Sequence, residues 1–249
     1  MPMDDFFQLY DTLTTGIPAG LEVTGTLSGS RWTAVETADS LGLAMTTSGN
    51  TVPPLFSRPY TGMELAELAK AAKSWNLAEA SCGVAAMNAF YNTPQRLEAL
   101  HAHAAFDQYC TRGLDLKGKR IGVVGHLNMP DHVREQASEL LILERSPRPG
   151  DYPDSACEWL LPTCDIVLIT GSSLVNKTLP RLLQLCRQAC TILTGPTVPL
   201  CPALLDLGID RIAGLVITDR SGMRSQIQAD LPGPPYPHGS SFLLTRDDL

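Results

Sequence analysis

The chain has 249 residues, with 19 Lys plus Arg against 26 Asp plus Glu, which gives a formal net charge of −7. This length allows one large domain or two modest ones. Hydrophobic residues make up 44% and charged residues 18%, so an intrinsically disordered chain is excluded. The acidic balance also argues against nucleic acid as a partner, because phosphate contacts need clustered Lys and Arg.

Cysteine usage and short apolar runs indicate an intracellular protein with no membrane partner. Seven cysteines are an odd number spread without a disulfide framework, which is typical of a reducing compartment. Asp4 and Asp5 stand where a signal peptide would carry Lys or Arg. Apolar runs such as 166–169 fall far short of the roughly 20 residues that span a bilayer. We therefore expect a cytoplasmic protein.

The first part of the chain is patterned as short strands followed by helices. Apolar and polar residues alternate at hairpin spacing, which predicts strands over 21–27, 32–36 and 41–45. A helix is predicted over 61–75, because Thr61 and Glu64 form a capping-box pattern. Two further helices are predicted over 76–91 and from 94 to about 109, the second linking the two halves of the chain.

Helix 76–91 carries an apolar stripe with a more polar strip beside it. Asn88 and Asn92 lie on that polar strip, and both need hydrogen-bond partners if they are buried. They either make hydrogen bonds within the core and at the helix end, or they line a site between domains. Glu79 lies opposite the apolar stripe, so we expect it to be solvated.

From residue 119 the pattern changes to alternating strands and helices. Near-continuous apolar runs, typical of strands buried on both faces, predict strands over 120–125, 139–144, 165–170, 191–194 and 212–218. Helical segments are expected near 130, and over 153–161, 178–189 and 202–207. The alternation predicts a Rossmann-like α/β domain with a parallel sheet. The tail after Ser221 is predicted to be irregular. The domains are thus predicted over 1–115 and 116–249.

Ligands of open α/β sheets bind beyond the carboxyl ends of the strands, so these ends are the candidate site. The first strand leads to His126, but a G-x-G-x-x-G pattern is absent. Glu144 follows Gly125 by 19 residues, close to the offset of a ribose-binding acid in dinucleotide folds. That offset is also generic to strand–helix–strand units. Asp219, after the last strand, either caps locally or faces the cleft.

The third strand end is the richest in polar groups. Thr170, Gly171 and Ser172 come directly after the strand, and Asn176 follows. Such a loop is expected to expose backbone N–H groups and hydroxyls to an anion, although ordinary helix capping explains the same residues. Gly195 and Thr197 follow the next strand at the same edge of the sheet.

The Cys and His residues of this chain do not have the spacing of common metal-binding motifs. C-x-x-C and H-E-x-x-H patterns are both absent. Cys186 and Cys190 could share one face of a helix, but their leucine neighbours favour core packing. His101 and His103 point in different directions on a helix and are expected at the surface. His126 is the remaining candidate, as a metal ligand, an acid–base group or a hydrogen-bonded loop residue.

Several short strings together resemble the family named putative heavy-metal chelation proteins. They are the segments 76–81, 86–89, 123–126, 143–145, 149–151, 160–162, 169–176, 178–179 and 195–200. The resemblance covers nearly the whole chain and implies an enolase-N-terminal-like α+β domain followed by a Rossmann-like domain. It also implies a ligand site in the cleft between them. The matching positions are Asn88, His126, Glu144, Thr170, Gly171, Ser172, Asn176, Gly195, Thr197 and Asp219.

Three functional hypotheses follow. The first is a protein that binds a small anionic molecule in the cleft, as such or as a metal chelate, with a role in metal handling. The second is an enzyme with a nucleotide-type cofactor, S-adenosylmethionine or a dinucleotide, in which Glu144 holds the ribose and His126 is the acid or base. The third is a scaffold or assembly factor. The cofactor is open, a metal ion or metal chelate being the candidate, and a homodimer is compatible with this size.

Overall fold

A computed structural model describes residues 3–48, 52–100, 102–104, 111 and 113–248. The helices are α1 (Met3–Thr15), α2 (Leu65–Ala69), α3 (Leu77–Tyr91), α4 (Pro94–Ala99), α5 (Asp131–Gln136), α6 (Cys157–Leu160), α7 (Ser172–Val175), α8 (Leu179–Leu185), α9 (Ala203–Asp206) and α10 (Arg220–Gln228). The strands are β1 (Gly25–Ser28), β2 (Trp32–Glu36), β3 (Leu41–Met45), β4 (His103–Ala104), β5 (Arg120–Val124), β6 (Glu139–Glu144), β7 (Tyr152–Pro153), β8 (Ile166–Thr170), β9 (Cys190–Thr194), β10 (Arg211–Ile217) and β11 (Gly239–Thr245).

Strands β1, β2 and β3 form a small antiparallel sheet, and α3 packs across it. Nearly every residue of α3 is buried, which is typical of a helix enclosed on all sides rather than one with a single apolar face. The approach is closest at Gly42 in β3, where an added Cβ would collide with the backbone of Ala85 and Ala89. Glycine at this position therefore sets the distance between the sheet and the helix.

We expect Gly42→Ala to lower the free energy of unfolding by about 1–3 kcal/mol, because the methyl group must push α3 away from β3. Gly25→Ala in the same sheet is the control, since its Cβ would meet only the flexible end of Glu36, at 3.0 Å. Chemical denaturation measures both variants. Equal stability of the two variants would contradict the packing described for Gly42.

The larger sheet has eight strands in the order β4-β11-β10-β9-β8-β5-β6-β7. The six strands from β10 to β7 pair in parallel, whereas β11 and β4 add an antiparallel edge. From β5 the chain moves outward to β6 and β7, and it then returns to place β8, β9 and β10 on the other side of β5. The topological switch point therefore lies between β5 and β8.

The two sheets are joined by one continuous core and by hydrogen bonds between buried groups. The largest apolar cluster contains residues of α1, α3 and the parallel sheet, including Tyr10, Met87 and Ile169. Asn92, at the end of α3 and 4% exposed, donates from Nδ2 to the carbonyls of Val198 and Leu215 at 2.9 and 3.1 Å. Its Oδ1 accepts from the Leu200 N–H at 2.8 Å. These contacts hold α3 against β10 and the loop after β9.

Several local predictions are wrong, and each for an identifiable reason. The helix predicted over 94–109 ends at Ala99, and 103–104 instead pair with β11; of its remaining residues, 101 and 105–109 lie outside the described part of the chain. The helix predicted from residue 61 begins at Leu65, because the Glu64 carboxylate accepts from the Gly20 N–H instead of closing a capping box.

Two further predictions are wrong, because the tail contains regular secondary structure and Glu79 is buried. Helix α10 and strand β11 occupy most of the region predicted to be irregular, and β11 pairs with β10 along seven residues. Glu79 is only 2% exposed, because its two oxygens accept from the N–H groups of Leu55 and Phe56 at 2.7 and 2.8 Å. A carboxylate can be buried when such donors replace water.

Candidate functional site

The carboxyl ends of β5, β6, β8 and β9 meet at one edge of the parallel sheet, at the switch point. They open on a cavity of about 550 Å³, here called the cleft. Its lining comprises Arg31, Trp32, Met45, Gly125, His126, Leu127, Asn128, Glu144, Arg148, Thr170, Gly171, Ser172, Thr194, Gly195, Pro196, Thr197, Pro234, Pro235 and Tyr236. One wall is thus made of polar strand ends, and the facing wall of side chains from the small sheet and the tail.

Glycines shape the floor of the cleft. Gly125 and Gly195, which end β5 and β9, have φ of +104° and +120°, a conformation that side-chain-bearing residues rarely adopt. Their N–H groups donate to Leu143 and Ala213, and the N–H of Gly171 donates to Thr194, all at 2.9–3.0 Å. The Gly171 N–H is therefore not available to an anion, because the neighbouring strand already uses that donor.

The ends of β8 and β9 offer hydroxyl groups to a ligand. The Thr170 and Ser172 hydroxyls lie 3.2 Å apart in one hydrogen bond, and both residues line the cleft. The Thr197 hydroxyl accepts from the Met45 N–H at 2.9 Å, which leaves its own hydrogen available to donate. Ser173 turns inward instead, where its hydroxyl donates to the Thr170 carbonyl. Three hydroxyls therefore converge on the cleft from the ends of β8 and β9.

His126 lies between two carboxylates. Its Nε2 is 2.6 Å from Oδ2 of Asp151, and its Nδ1 is 3.7 Å from Oε2 of Glu144. The hydrogen bond from His126, together with one from the Arg148 N–H, holds the pKa of Asp151 below its ordinary value. The imidazole is thus fixed in orientation while its side chain stays 24% exposed to the cleft.

Glu144 is mainly an anchor for the surrounding backbone. Its Oε2 accepts from the His126 N–H at 2.9 Å, and its Oε1 accepts from the N–H groups of Arg145 and Ser146 at 2.7 and 3.3 Å. A ribose diol would donate to both oxygens of such a carboxylate. The Glu144 carboxylate already accepts three backbone hydrogen bonds, out of about four that its two oxygens can accept. This arrangement does not favour the ribose role considered for Glu144.

Seven of the ten positions implied by the family resemblance line the cleft: His126, Glu144, Thr170, Gly171, Ser172, Gly195 and Thr197. Asn176 lies beside it, where its Oδ1 accepts from the N–H and hydroxyl of Thr178. Asn88 is buried and donates to the Leu43 carbonyl, and Asp219 caps α10 through the Gly222 N–H. The structure does not bring these last two to the cleft.

The facing wall was not found by sequence reasoning. Trp32 and Met45 come from the small sheet, and Pro234, Pro235 and Tyr236 come from the tail. Arg31 and Arg148 add two positive charges to the lining. Arg148 and Asp151 belong to the loop that directly follows β6, and so they had a sequence signal. Trp32, Met45 and the tail residues face the strand ends through long-range packing, which strand-end reasoning cannot reveal.

The described residues do not fit a resident heavy-metal ion. No group of three or more His, Cys, Asp or Glu side chains within them is placed to hold one. Five of the six described cysteines are buried and the sixth is half-buried. Burial raises the pKa of all six thiols, to about 11 for Cys157 and about 12 for Cys186. Protonated thiols are poor ligands, because metals bind the thiolate.

The fold and the cleft define a mixed α/β protein with a large, mostly parallel, Rossmann-like sheet and a small antiparallel sheet, as predicted. Two sequence models, both described as "Putative heavy-metal chelation", match residues 113–233 and 10–91. A crystal structure of a protein with unknown function from the DUF364 family of Desulfitobacterium hafniense is 33% identical over 99% of this chain and 100% of that one, with a TM-score of 0.88. The chain belongs to the DUF364 family, whose sequence model carries the heavy-metal chelation description, and this confirms the family resemblance seen in the sequence.

Two further relatives are more distant. A DUF364 family structure from Pyrococcus horikoshii has a TM-score of 0.79 over 98% of this chain and 100% of that one, and at 24% identity it supports the fold alone. An uncharacterized protein of Methanocaldococcus jannaschii is 32% identical over 163 residues, which are 62% of this chain and 61% of that protein. Within the described residues, no helix has the length and apolar character needed to cross a membrane.

Proposed function

We propose that this protein binds a small anionic molecule in the cleft, free or as a heavy-metal chelate. The observation that carries the proposal is the convergence of the Thr170, Ser172 and Thr197 hydroxyls with His126 at the switch point of the parallel sheet. Ligands of open α/β sheets bind at this place. Hydroxyls are suited to the oxygens of a carboxylate or another oxyanion, because each hydroxyl can donate a hydrogen bond.

The charges around the cleft also support an anion. Arg31 and Arg148 bring positive charge to its lining. The two neighbouring carboxylates are already engaged, Glu144 by three backbone N–H groups and Asp151 by His126 and the Arg148 N–H. Their negative charge is thus partly balanced by the protein, and the lining arginines remain to attract a ligand anion.

In this proposal a metal ion is cargo that arrives with its chelator. The family description concerns heavy-metal chelation, whereas the described side chains do not assemble a metal site of their own. An anionic chelator would supply most of the ligands and would be held by the cleft hydroxyls. His126 is the cleft side chain that could add one further nitrogen ligand to the bound metal.

A thermal-shift comparison tests the proposal. The probes are citrate, phosphate and acetate, each alone and with nickel(II) or zinc(II), and the metal chlorides serve as metal-only samples. We expect at least one anion or anion–metal pair to raise the Tm of the wild type, since a ligand that binds the native state stabilises it. The shift should be lost in Thr170→Ala/Ser172→Ala. Thr163→Ala, a matched threonine substitution at an exposed residue outside the cleft lining, should keep it.

Two results would argue against the proposal. One is an equal shift in the wild type and in Thr170→Ala/Ser172→Ala, which would place the anion elsewhere. The other is a full shift with the metal chlorides alone, which would mean that the protein itself holds the metal ion.

A further inference from the structure

A second cavity, here called the side compartment, adjoins the cleft on the side of β6. It has a volume of about 360 Å³ and lies between the ends of β5 and β6 and helices α6 and α8. Its apolar lining consists of Val124, Leu143, Cys157, Leu182 and Leu185. Leu143, Cys157 and Leu182 are themselves buried, so they form a preformed apolar floor.

The side compartment and the cleft share part of their lining. Both cavities are lined by Gly125, Glu144, Thr170 and Ser172. A Cβ at Gly125 would lie 2.9 Å from Cγ2 of Thr170, so glycine at this position lets the Thr170 side chain pack directly against the backbone where the two cavities meet. The hydroxyls of Thr170 and Ser172 therefore stand where the polar cleft passes into the apolar compartment.

The charges at the rim of the side compartment are paired with one another. Arg181 donates to both carboxylate oxygens of Glu158, at 2.9 and 2.5 Å. Nε of Arg145 lies 3.5 Å from Oδ2 of Asp154. Since these four ions pair with each other, none of them is left to attract a second ionic group. The apolar floor remains the main feature that a ligand could use.

We infer that the side compartment takes the apolar chain of an amphiphilic anion whose charged head lies in the cleft. The substrate class is a monocarboxylate with an unbranched alkyl chain. The inference rests on the proposed function, because it assumes that the head is held near Thr170 and Ser172. The chain then passes over Gly125 and packs between Leu143, Leu182 and Leu185. Glu144 lines both cavities, and backbone N–H groups donate to its two carboxylate oxygens, which partly balances its charge near the head.

Isothermal titration calorimetry tests the inference by measuring the Kd of the full chain for butanoate, hexanoate and octanoate. Burial of one methylene group lowers a Kd by a factor of about three to four. Each step of two methylenes should therefore lower the Kd of the wild type about tenfold. Leu185→Trp fills the compartment and should abolish this dependence on chain length. Leu183→Trp is the matched control, because Leu183 is also half-buried on α8 but lines a different cavity.

The outcomes separate this inference from the proposed function. Tightening in the wild type and in Leu183→Trp, with a flat series in Leu185→Trp, supports the inference. Measurable butanoate binding with a flat wild-type series overturns it and leaves the proposed function standing. Equal tightening in Leu185→Trp, or no binding of any of the three acids, also overturns it. If Leu185→Trp does not fold, Ser155→Trp at the exposed rim blocks the same compartment and is judged by the same outcomes.

Discussion

Asn92→Ala is expected to lower the free energy of unfolding by about 3–5 kcal/mol, because three buried backbone groups lose their partner and each costs about 1–3 kcal/mol. The groups are the carbonyls of Val198 and Leu215 and the N–H of Leu200. All three residues are almost fully buried, so water cannot easily replace the amide. Chemical denaturation followed by circular dichroism measures the loss.

The control for this prediction is Asn128→Ala. Asn128 is exposed at the mouth of the cleft, and surface substitutions usually change stability by less than about 0.5 kcal/mol. A loss below about 1 kcal/mol in Asn92→Ala would mean that these three hydrogen bonds do not hold α3 to the parallel sheet.

Lys177→Met is expected to stabilise the protein by about 4 kcal/mol at pH 6, since a pKa lowered from 10.5 to about 7 is worth about 5 kcal/mol and the lost hydrogen bond about 1. Lys177 is 3% exposed, and its Nζ donates to the Val175 carbonyl at 2.9 Å, with the Trp75 ring centroid 6.0 Å away. Burial lowers the pKa of Lys177 from 10.5 to about 7, and the charge of Glu79 only partly opposes this.

The pH dependence of this effect has a definite sign. Below pH 7 the lysine is protonated in the folded and the unfolded protein, so the whole cost of burying the charge is present. From pH 7 to 10.5 the folded protein releases the proton first, and the advantage of Lys177→Met should shrink by about 1.4 kcal/mol per pH unit.

Denaturation of the wild type and the variant at several pH values measures this difference, in which the other titrating groups cancel. Exposed Lys117→Met is the control and should show no such trend. A difference between wild type and Lys177→Met that does not change between pH 6 and pH 9 would contradict the assigned burial of the charge.

Much of the parallel sheet could be predicted from the sequence, because strands buried on both faces appear as continuous apolar runs. Strand β6 begins and ends at the predicted residues, β5, β8 and β9 differ from prediction by one residue at one end, and β10 is shifted by one residue at both ends. Strand β11 could not be predicted in this way. Its residues are mostly half-buried and rich in serine, and it is a strand because it pairs with the distant β10.

The candidate site was predictable on one wall only. Parallel strands end at the same edge of a sheet, so strand-end reasoning correctly grouped residues such as His126, Thr170 and Gly195. The facing wall comes from the small sheet and the tail, and its position depends on tertiary packing. The burial of Glu79 depends likewise on donors at Leu55 and Phe56, more than twenty residues away in the chain. A helical pattern alone carries no information about such distant partners.

Native mass spectrometry of the protein purified from its own host tests the central claim most directly. The account predicts a non-covalent adduct with the mass of a small anionic molecule, alone or with a metal ion, on the wild type. The adduct should be absent from Thr170→Ala/Ser172→Ala prepared in the same way. An adduct of the same mass and abundance on both proteins, or a metal ion bound without any anionic molecule, would contradict the claim that the cleft holds the ligand.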